Sequence, residues 1–458
     1  MSRTRIARSV PARLAAAAAL VTALAVVVVL SPAAEPGGAE LLLTVGDVTA
    51  TTALLWLAAP GASRAELVVE PGPATAGAIR TIALGPDGLA VAELSGLDPG
   101  HRHRYRLHAG GRPVLGEFVT APAPDDPAPV RVVWSGDLGA RGHCRTPEGW
   151  RVFDAIAERR PDLFLFVGDT LYADHRCGGD AIPGADFVAR TLEEFRAKHR
   201  YNRGDPALQR LLRTTSVSAV WDDHEVRNNF AAATEPVAPV GLQAFLDYWP
   251  VASPADDPTR LYRRLRWGRL LDVFILDTRQ YRSPNGMRDG AGKTMLGAAQ
   301  RRWLVDEVTR SPARWKVIVS SVSLSIPKGW PFGDSWAVQR VLGYETGFAT
   351  ERDVILRELR ARGVDELVVL VADLHFGATM THRPLPGLTV HELSAGPLAA
   401  SMPPPEPPAE GLQTHVHFTR GGTSTFGELH VGEKQVTTRL FDGTGRLLAE
   451  RALAAGPR

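Results

Sequence analysis

Residues 130–175 read VRVVWSGDLGARGHCRTPEGWRVFDAIAERRPDLFLFVGDTLYADH, and this stretch decides the fold. Two apolar runs, RVVWS and LFLFV, flank a segment around Trp150 to Arg159 that reads as a helix. Strand, helix, strand at this spacing implies parallel β-structure joined by a crossover, hence an α/β core. Near-continuous apolar runs mark strands buried on both faces. Both runs end in Gly-Asp, at Asp137 and Asp169.

Outward from there, SVSAVWDD, LLDVFILDT, WKVIVSSVS and ELVVLVAD repeat the form, an apolar run with a polar tip. Asp222 and Asp223 end one of them; Asp373 and His375 follow another. Ligands bind beyond the carboxyl ends of parallel strands, where the loops diverge. A single Asp there is ordinary turn chemistry. Carboxylates converging from four strand ends repel one another unless cations neutralise them, so a metal cluster is expected.

The segments from Leu41 to Thr120 are short, alternating and separated by Gly/Pro turns, which predicts an antiparallel β-sandwich. The stretch LDPGHRHRYRLHAGGRPVLGEFVTAPAP, with Tyr105 after the Leu97–Gly100 turn, resembles the closing half of a fibronectin type III-like module. Pro-rich residues 121–129 read as a stiff linker. The tail from Leu388 to Leu453 reads as an antiparallel second sheet completing the layer. The expected division is residues 1–34 as signal peptide or anchor, 40–121 as the fibronectin-like domain and 130–453 as the catalytic domain.

The chain has 458 residues, 44% hydrophobic and 22% charged, as expected of a soluble globular body. A net charge of +2 supplies no basic stripe for nucleic acid, and none is expected as a specific partner. Arg3, Arg5, Arg8 and Arg13 precede an apolar run from Leu14 to Leu30 and then Ser31-Pro32-Ala33-Ala34, the layout of a signal peptide. The expectation is a secreted or extracytoplasmic protein, with membrane contact through this segment if it stays uncleaved. Export would let the two cysteines, Cys144 and Cys177, form a disulfide beside the acidic motifs; metal ligation by either is the alternative.

The local text is more specific than charge. Asp137 stands in S-G-D-L-G, Asp169 in G-D-T-L-Y, Asp223 in W-D-D-H-E-V-R-N-N and Asp373 with His375 in A-D-L-H. Over Val130 to about Thr381 the chain resembles the calcineurin-like metallophosphoesterases, and W-D-D-H-E with L-D-T-R-Q-Y-R resembles their alkaline phosphatase D family. The D-x-x-Y spacing of Asp169 and Tyr172 is also similar to the purple acid phosphatases, where that Tyr binds ferric iron.

The resemblance implies a four-layer αββα sandwich and a two-metal phosphoesterase. Its substrates would be phosphate mono- or diesters, from small molecules to cell-wall or lipid phosphodiesters, attacked by metal-bound hydroxide. It assigns Asp137, Asp169, Tyr172 and His375 to a first metal, and Asp169, Asp223 and Asp373 to a second. It makes His224 the residue facing the phosphoryl group.

A phenolate with carboxylates and one imidazole suits Fe³⁺, and an all-oxygen site suits Ca²⁺; Mn²⁺ or Mg²⁺ are the alternatives. Many relatives resemble S-C-Q where this chain has S-G-D, and a carboxylate in place of a thiolate strengthens those alternatives. Ala372 replaces the Gly that usually precedes the last Asp.

Arg279, after another strand tip, would suit a phosphate oxygen; pairing with Asp277 or Asp289 is the other reading. Asn228, Arg227 and His143 are candidate substrate-binding rim residues. The aromatic loop from Lys328 to Glu351, with Trp330, Phe332, Trp336 and Tyr344, is a candidate lid or leaving-group wall. The functional alternatives are a cell-surface binding protein with a vestigial metal domain, or a secreted nuclease. A monomer is expected.

Overall fold

The computed structural model describes residues 41–73, 78–111 and 113–454. The expected signal peptide or anchor lies outside the described residues. No helix among them is long and apolar enough to cross a membrane.

Two large sheets share one core. The nine-stranded sheet runs, in spatial order, Leu447–Ala454, Gln435–Asp442, Thr425–Val431, Val130–Ser135, Leu163–Val167, Ser216–Val220, Leu42–Gly46, Thr52–Ala58 and Leu89–Ser95. The seven-stranded sheet runs Arg263–Trp267, Leu271–Ile275, Trp315–Val319, Glu366–Val371, Leu388–Ser394, Gly377–Leu385 and Thr414–Arg420. The apolar runs are the parallel central strands of both sheets, as their composition predicts.

Alternation along the second sheet divides its side chains between two layers. Val273, Ile275, Val317, Val319, Val368 and Leu370 share a core with Val132, Leu163 and Leu165 of the nine-stranded sheet. The intervening Phe274, Ile318, Val369 and Val371 pack with Leu304 and Val308 of the helix Gly297–Arg310 and with Ile355 and Leu359 of the helix Ala349–Ala361. Each such fully buried side chain contributes roughly 1.5–3 kcal/mol. The helices Val152–Glu158 and Pro206–Thr214 add Phe153, Ile156, Leu208 and Leu211 to the first core. The outcome is a mixed α/β sandwich with an N-terminal all-β region.

That region is joined to the rest by its backbone. Three of its strands form the edge of the nine-stranded sheet, where Gly46 stands opposite Val217 in a parallel bridge. The other four, Ala78–Ala83, Arg64–Val69, Arg102–His108 and Val114–Val119, form a separate sheet over a core that includes Leu43, Leu55, Leu67, Leu107 and Phe118. The buried Asp47 accepts from Arg263 Nε at 2.6 Å and Nη2 at 2.8 Å and from Ser218 Oγ at 2.8 Å. The Tyr105 hydroxyl donates to the Arg213 carbonyl at 2.9 Å. The Pro-rich segment is packed rather than a free tether: Ala121 is buried, and the Asp126 carbonyl accepts from the Arg269 amide at 2.8 Å.

The tail departs from its expected layout. It builds no sheet of its own: Leu388–Ser394 and Thr414–Arg420 join the seven-stranded sheet, and the three strands from Thr425 onward join the nine-stranded one, antiparallel to Val130–Ser135. Val130–Ser135 is buried at five of six positions and needs a strand on each side to satisfy its backbone.

Candidate metal centre

The four acidic tips meet beyond the carboxyl ends of Val130–Ser135, Leu163–Val167, Ser216–Val220 and Glu366–Val371. Two glycines permit the convergence: a side chain at Gly168 would lie 2.6 Å from the Asp222 Cβ, and one at Gly136 would lie 2.8 Å from the Ala372 methyl. Asp137, Asp169, Asp373 and His375 have φ of 64°, 47°, 58° and 60°. This left-handed conformation is unfavourable for residues with a side chain, and it concentrates where function demands a fixed orientation.

Oxygen and nitrogen atoms of Asp137, Asp169 and His375 lie within 4.8 Å of one another, as do those of Asp169, Asp223 and His224, and of Asp222, Asp223 and Asp373. The Tyr172 hydroxyl is 3.2 Å from His375 Nε2, whose ring is fixed at Nδ1 by the Ser401 carbonyl and hydroxyl, both at 2.9 Å. Asp137 Oδ1 accepts from the Asp373 amide at 3.2 Å, Asp169 Oδ1 from the His224 amide at 3.1 Å, and Asp223 Oδ2 from the Asn229 amide at 2.6 Å. Each carboxylate is thus held by one oxygen. The others, Asp137 Oδ2, Asp169 Oδ2, Asp222 Oδ2, Asp223 Oδ1 and Asp373 Oδ2, are buried and have no hydrogen-bond partner. Buried polar atoms are rarely left so, and five on one cluster fit cation binding.

The electrostatics agree. Burial pushes the Asp137 carboxyl up to about 8, with Asp222 and Asp223 adding repulsion. Burial and neighbouring carboxylates hold Asp169 and Asp373 well above the ordinary range. Asp223 moves the other way: burial favours its neutral form, but His224 and Arg279 hold it below the usual carboxylate value. Burial disfavours charge on His224, yet Asp223 and Asp174 outweigh this and raise it to about 9. Burial lowers His375 to about 3, leaving a neutral imidazole suited to ligation.

A cleft of about 440 Å³ opens over the cluster, lined by Tyr172, His224, Asn228, Lys328, Asp373 and His375 among others. An adjoining cleft of about 660 Å³ shares Arg141 and His175 with it. Residues 141–440 match the family model for PhoD-like phosphatases. The chain belongs to the PhoD-like phosphatase family. Within that family setting, it is 25% identical over 315 residues to alkaline phosphatase D of Bacillus subtilis (strain 168), an alignment covering 62% of this chain and about half, 52%, of that relative. A solved structure of PhoD superposes with a TM-score of 0.73 at 18% identity, covering 91% of this chain and 92% of the other. The purple acid phosphatase PPD1 from yellow lupin (Lupinus luteus) seeds gives 0.63 at 12% identity, covering 90% and 74%. At those identities the two structures show a shared fold.

Several candidates of this PhoD-like chain sit elsewhere than expected. Arg279 does not face the cleft: it is fully buried, its Nε donates to Asp222 at 2.6 Å, and Nη1 and Nη2 donate to Asp334 at 3.0 and 2.7 Å. Its guanidinium is committed to these acids, so no fork remains for a phosphate. Of its two expected partners, Asp277 meets Arg279 only at the backbone, accepting from its amide at 2.9 Å. Arg227 turns its guanidinium to the Val226 and Ala189 carbonyls, and neither it nor His143 lines the cleft. Asn228 does line it. Cys144 and Cys177 are disulfide-bonded, 33 residues apart in sequence.

Two site residues, Asp174 and Lys328, were given no site role by the sequence reading, and Asp222 was placed at a strand tip without a ligand role. Asp174 accepts from His224 Nδ1 through both carboxylate oxygens, at 2.8 and 3.0 Å. Asp222 supplies an unpaired oxygen to the cluster. Lys328 donates from Nζ to the Asp373 carbonyl at 2.7 Å and lines the cleft. Asp174 follows Tyr172 by two positions and Asp222 is the second residue of W-D-D-H-E, so both were signalled by proximity to named residues.

Proposed function

We propose that this protein is an exported, metal-dependent phosphoesterase hydrolysing phosphate mono- or diesters. The observation that carries the reading is the set of five buried, unpartnered carboxylate oxygens beside Tyr172 and His375, at strand ends beneath a cleft. In this reading Asp137, Asp169, Tyr172 and His375 hold one ion and Asp169, Asp223 and Asp373 another, with Asp222 close by. The phenol and imidazole favour ferric iron at the first, and the all-carboxylate set favours calcium at the second, with manganese or magnesium as the alternative. Bound there, two cations would neutralise the carboxylates, polarise the phosphoryl group and lower the pKa of water.

The chain's own groups complete the site. Asp174 fixes the His224 ring through Nδ1, which leaves Nε2 to hold a proton for the departing alkoxide. Lys328, with its ammonium kept charged by Asp373 and Asp137 despite burial, offers a cation to a phosphoryl oxygen. Asn228 and the adjoining cleft are placed to meet the remainder of the ester.

The same proposal includes the architecture. Seven N-terminal strands divided three and four between two sheets support a fibronectin type III-like module over residues 40–121, ahead of a four-layer αββα catalytic domain over 130–453. Export rests on the Arg-rich, apolar opening of the sequence and is consistent with the disulfide.

The test is elemental analysis of the purified protein, paired with hydrolysis of bis-p-nitrophenyl and p-nitrophenyl phosphate before and after chelation. Two metal equivalents with chelator-sensitive turnover are expected. A protein that binds no metal and is not activated by iron, calcium, manganese or magnesium would overturn the proposal.

A further inference from the structure

Five of the ten exposed large hydrophobic side chains among the described residues stand together on two loops beside the cleft: Met287, Trp330, Phe332, Leu342 and Tyr344. Their contiguity follows from contacts. A side chain at Gly286 would meet the Phe332 ring at 3.5 Å, and the Tyr344 hydroxyl donates to the Gly286 carbonyl at 3.1 Å. Trp330, 79% exposed, is also a wall of the cleft. The aromatic loop is therefore split in its role: Trp336 is buried and anchors it, whereas Trp330 and Phe332 face water.

Leu342 is the most telling member. It sits at the tip of the hairpin between Gln339–Val341 and Tyr344–Thr346, in a two-residue turn whose residues Leu342 and Gly343 have φ of 50° and 79°. Such turns favour Asn or Gly at the first position, and a branched aliphatic residue there is strained. Its side chain is fully exposed, so packing within the chain does not explain it. Both local preferences are violated at once, and burial in something outside the chain accounts for both.

Charge narrows the occupant. Arg288 lies over the Tyr344 ring at 5.5 Å, and Lys328 stands at the inner edge in the cleft. Of the acids nearby, Glu345 pairs with Arg340 at 2.6 Å and Asp289 accepts from the Thr350 amide, while Glu406 acts on Lys328 and Glu410 on Arg340. Apolar residues on protruding tips, with a basic flank, suit insertion into the headgroup region of an anionic lipid surface. Leu342 and Met287 offer no flat face on which a sugar ring could stack.

We infer that these two loops dock the enzyme onto an anionic lipid–water interface, presenting headgroup phosphoesters to the cleft. The substrate part of this inference rests on the phosphoesterase reading; the docking part does not.

The experiment uses the full chain, whose two cysteines are joined in the disulfide. Leu342→Cys carries an environment-sensitive dye, and a second protein carries it at Ile79→Cys, an exposed site of the N-terminal region. With vesicles of equal parts phosphatidylcholine and phosphatidylglycerol, the dye at position 342 should shift to the blue and the dye at 79 should not. Any membrane contact by the N-terminal segment is common to both proteins. No shift at 342, or an equal shift at both, overturns docking.

In a second arm, Leu342→Asp should lower hydrolysis of vesicle phosphatidylglycerol by about tenfold, the scale of one leucine's burial, and leave bis-p-nitrophenyl phosphate hydrolysis unchanged. Equal loss on both substrates, or no loss on vesicles, overturns the substrate part. Absence of turnover on every substrate would remove the phosphoesterase reading, with the dye still reporting whether the loops dock.

Discussion

Both carboxylate oxygens of Asp174 face one atom, Nδ1 of His224, at 2.8 and 3.0 Å, and the same carboxylate accepts from the Asn228 amide at 2.9 Å. The imidazole is also stacked on Tyr172, with ring centroids 4.1 Å apart. Ring orientation and tautomer are therefore set from two sides. Asp174→Asn should lower turnover by roughly 10–100-fold with metal content retained, because this pair orients a proton-carrying group rather than an ion. Steady-state kinetics and metal analysis of one preparation check this; loss of metal in step with activity would make His224 a ligand.

Asp169→Asn should abolish hydrolysis and reduce metal content, since Asp169 belongs to both proposed ligand sets. Thermal stability should move the other way. In chelator-treated protein the substitution removes one of several mutually repelling buried carboxyls, so its Tm should equal or exceed that of the chelated wild type. Calorimetry in chelator decides this, and a clear fall in Tm would show that Asp169 stabilises the fold.

The raised carboxyls of the cluster give the metal-free protein a definite pH dependence. Asp137 titrates near 8 when folded and near 3.8 when unfolded, so between these values the folded chain binds the extra proton. Stability of the chelated protein should therefore be fully present below about pH 4 for this group and decline as pH rises through about 8. Metal addition at pH 7 should release protons and flatten the profile. Urea titrations across this range, with and without metal, measure both effects.

Arg279→Met should destabilise the fold by about 3–5 kcal/mol, because it strands the buried Asp222 without its counter-charge and leaves Asp334 to Arg282 alone. Arg279→Lys should restore little, as one ammonium does not reproduce three donor positions on two acids. Chemical denaturation measures the loss. A folded, fully stable Arg279→Met protein with impaired substrate binding would return the residue to the cleft.

The legible part of this protein was local. Apolar runs with acidic tips located the central strands and, through them, the positions of Asp137, Asp169, Asp223 and Asp373, because a buried parallel strand directs its next residue to one edge of the sheet. Arg279 was misread for the opposite reason. Its partner Asp334 lies 55 residues on, in an irregular loop with no periodic signal, and only the folded chain brings the two together. Asp174 and Lys328 likewise acquire their roles from contacts made across 50 and 45 residues. The tail was read as one sheet because alternation shows that a strand has two faces but not which neighbour it will choose.

Ser135, two residues before Asp137, donates its hydroxyl to the Thr425 carbonyl across 290 positions, and its strand is flanked on that side by Thr425–Val431. The order of synthesis therefore matters. A chain emerging from the ribosome carries every acidic tip before the strand that closes the sheet beside Asp137, which begins at Thr425, has appeared. An ion held by the proposed ligand set would therefore meet its final surroundings beside Asp137 only once the carboxyl-terminal strands have joined the sheet.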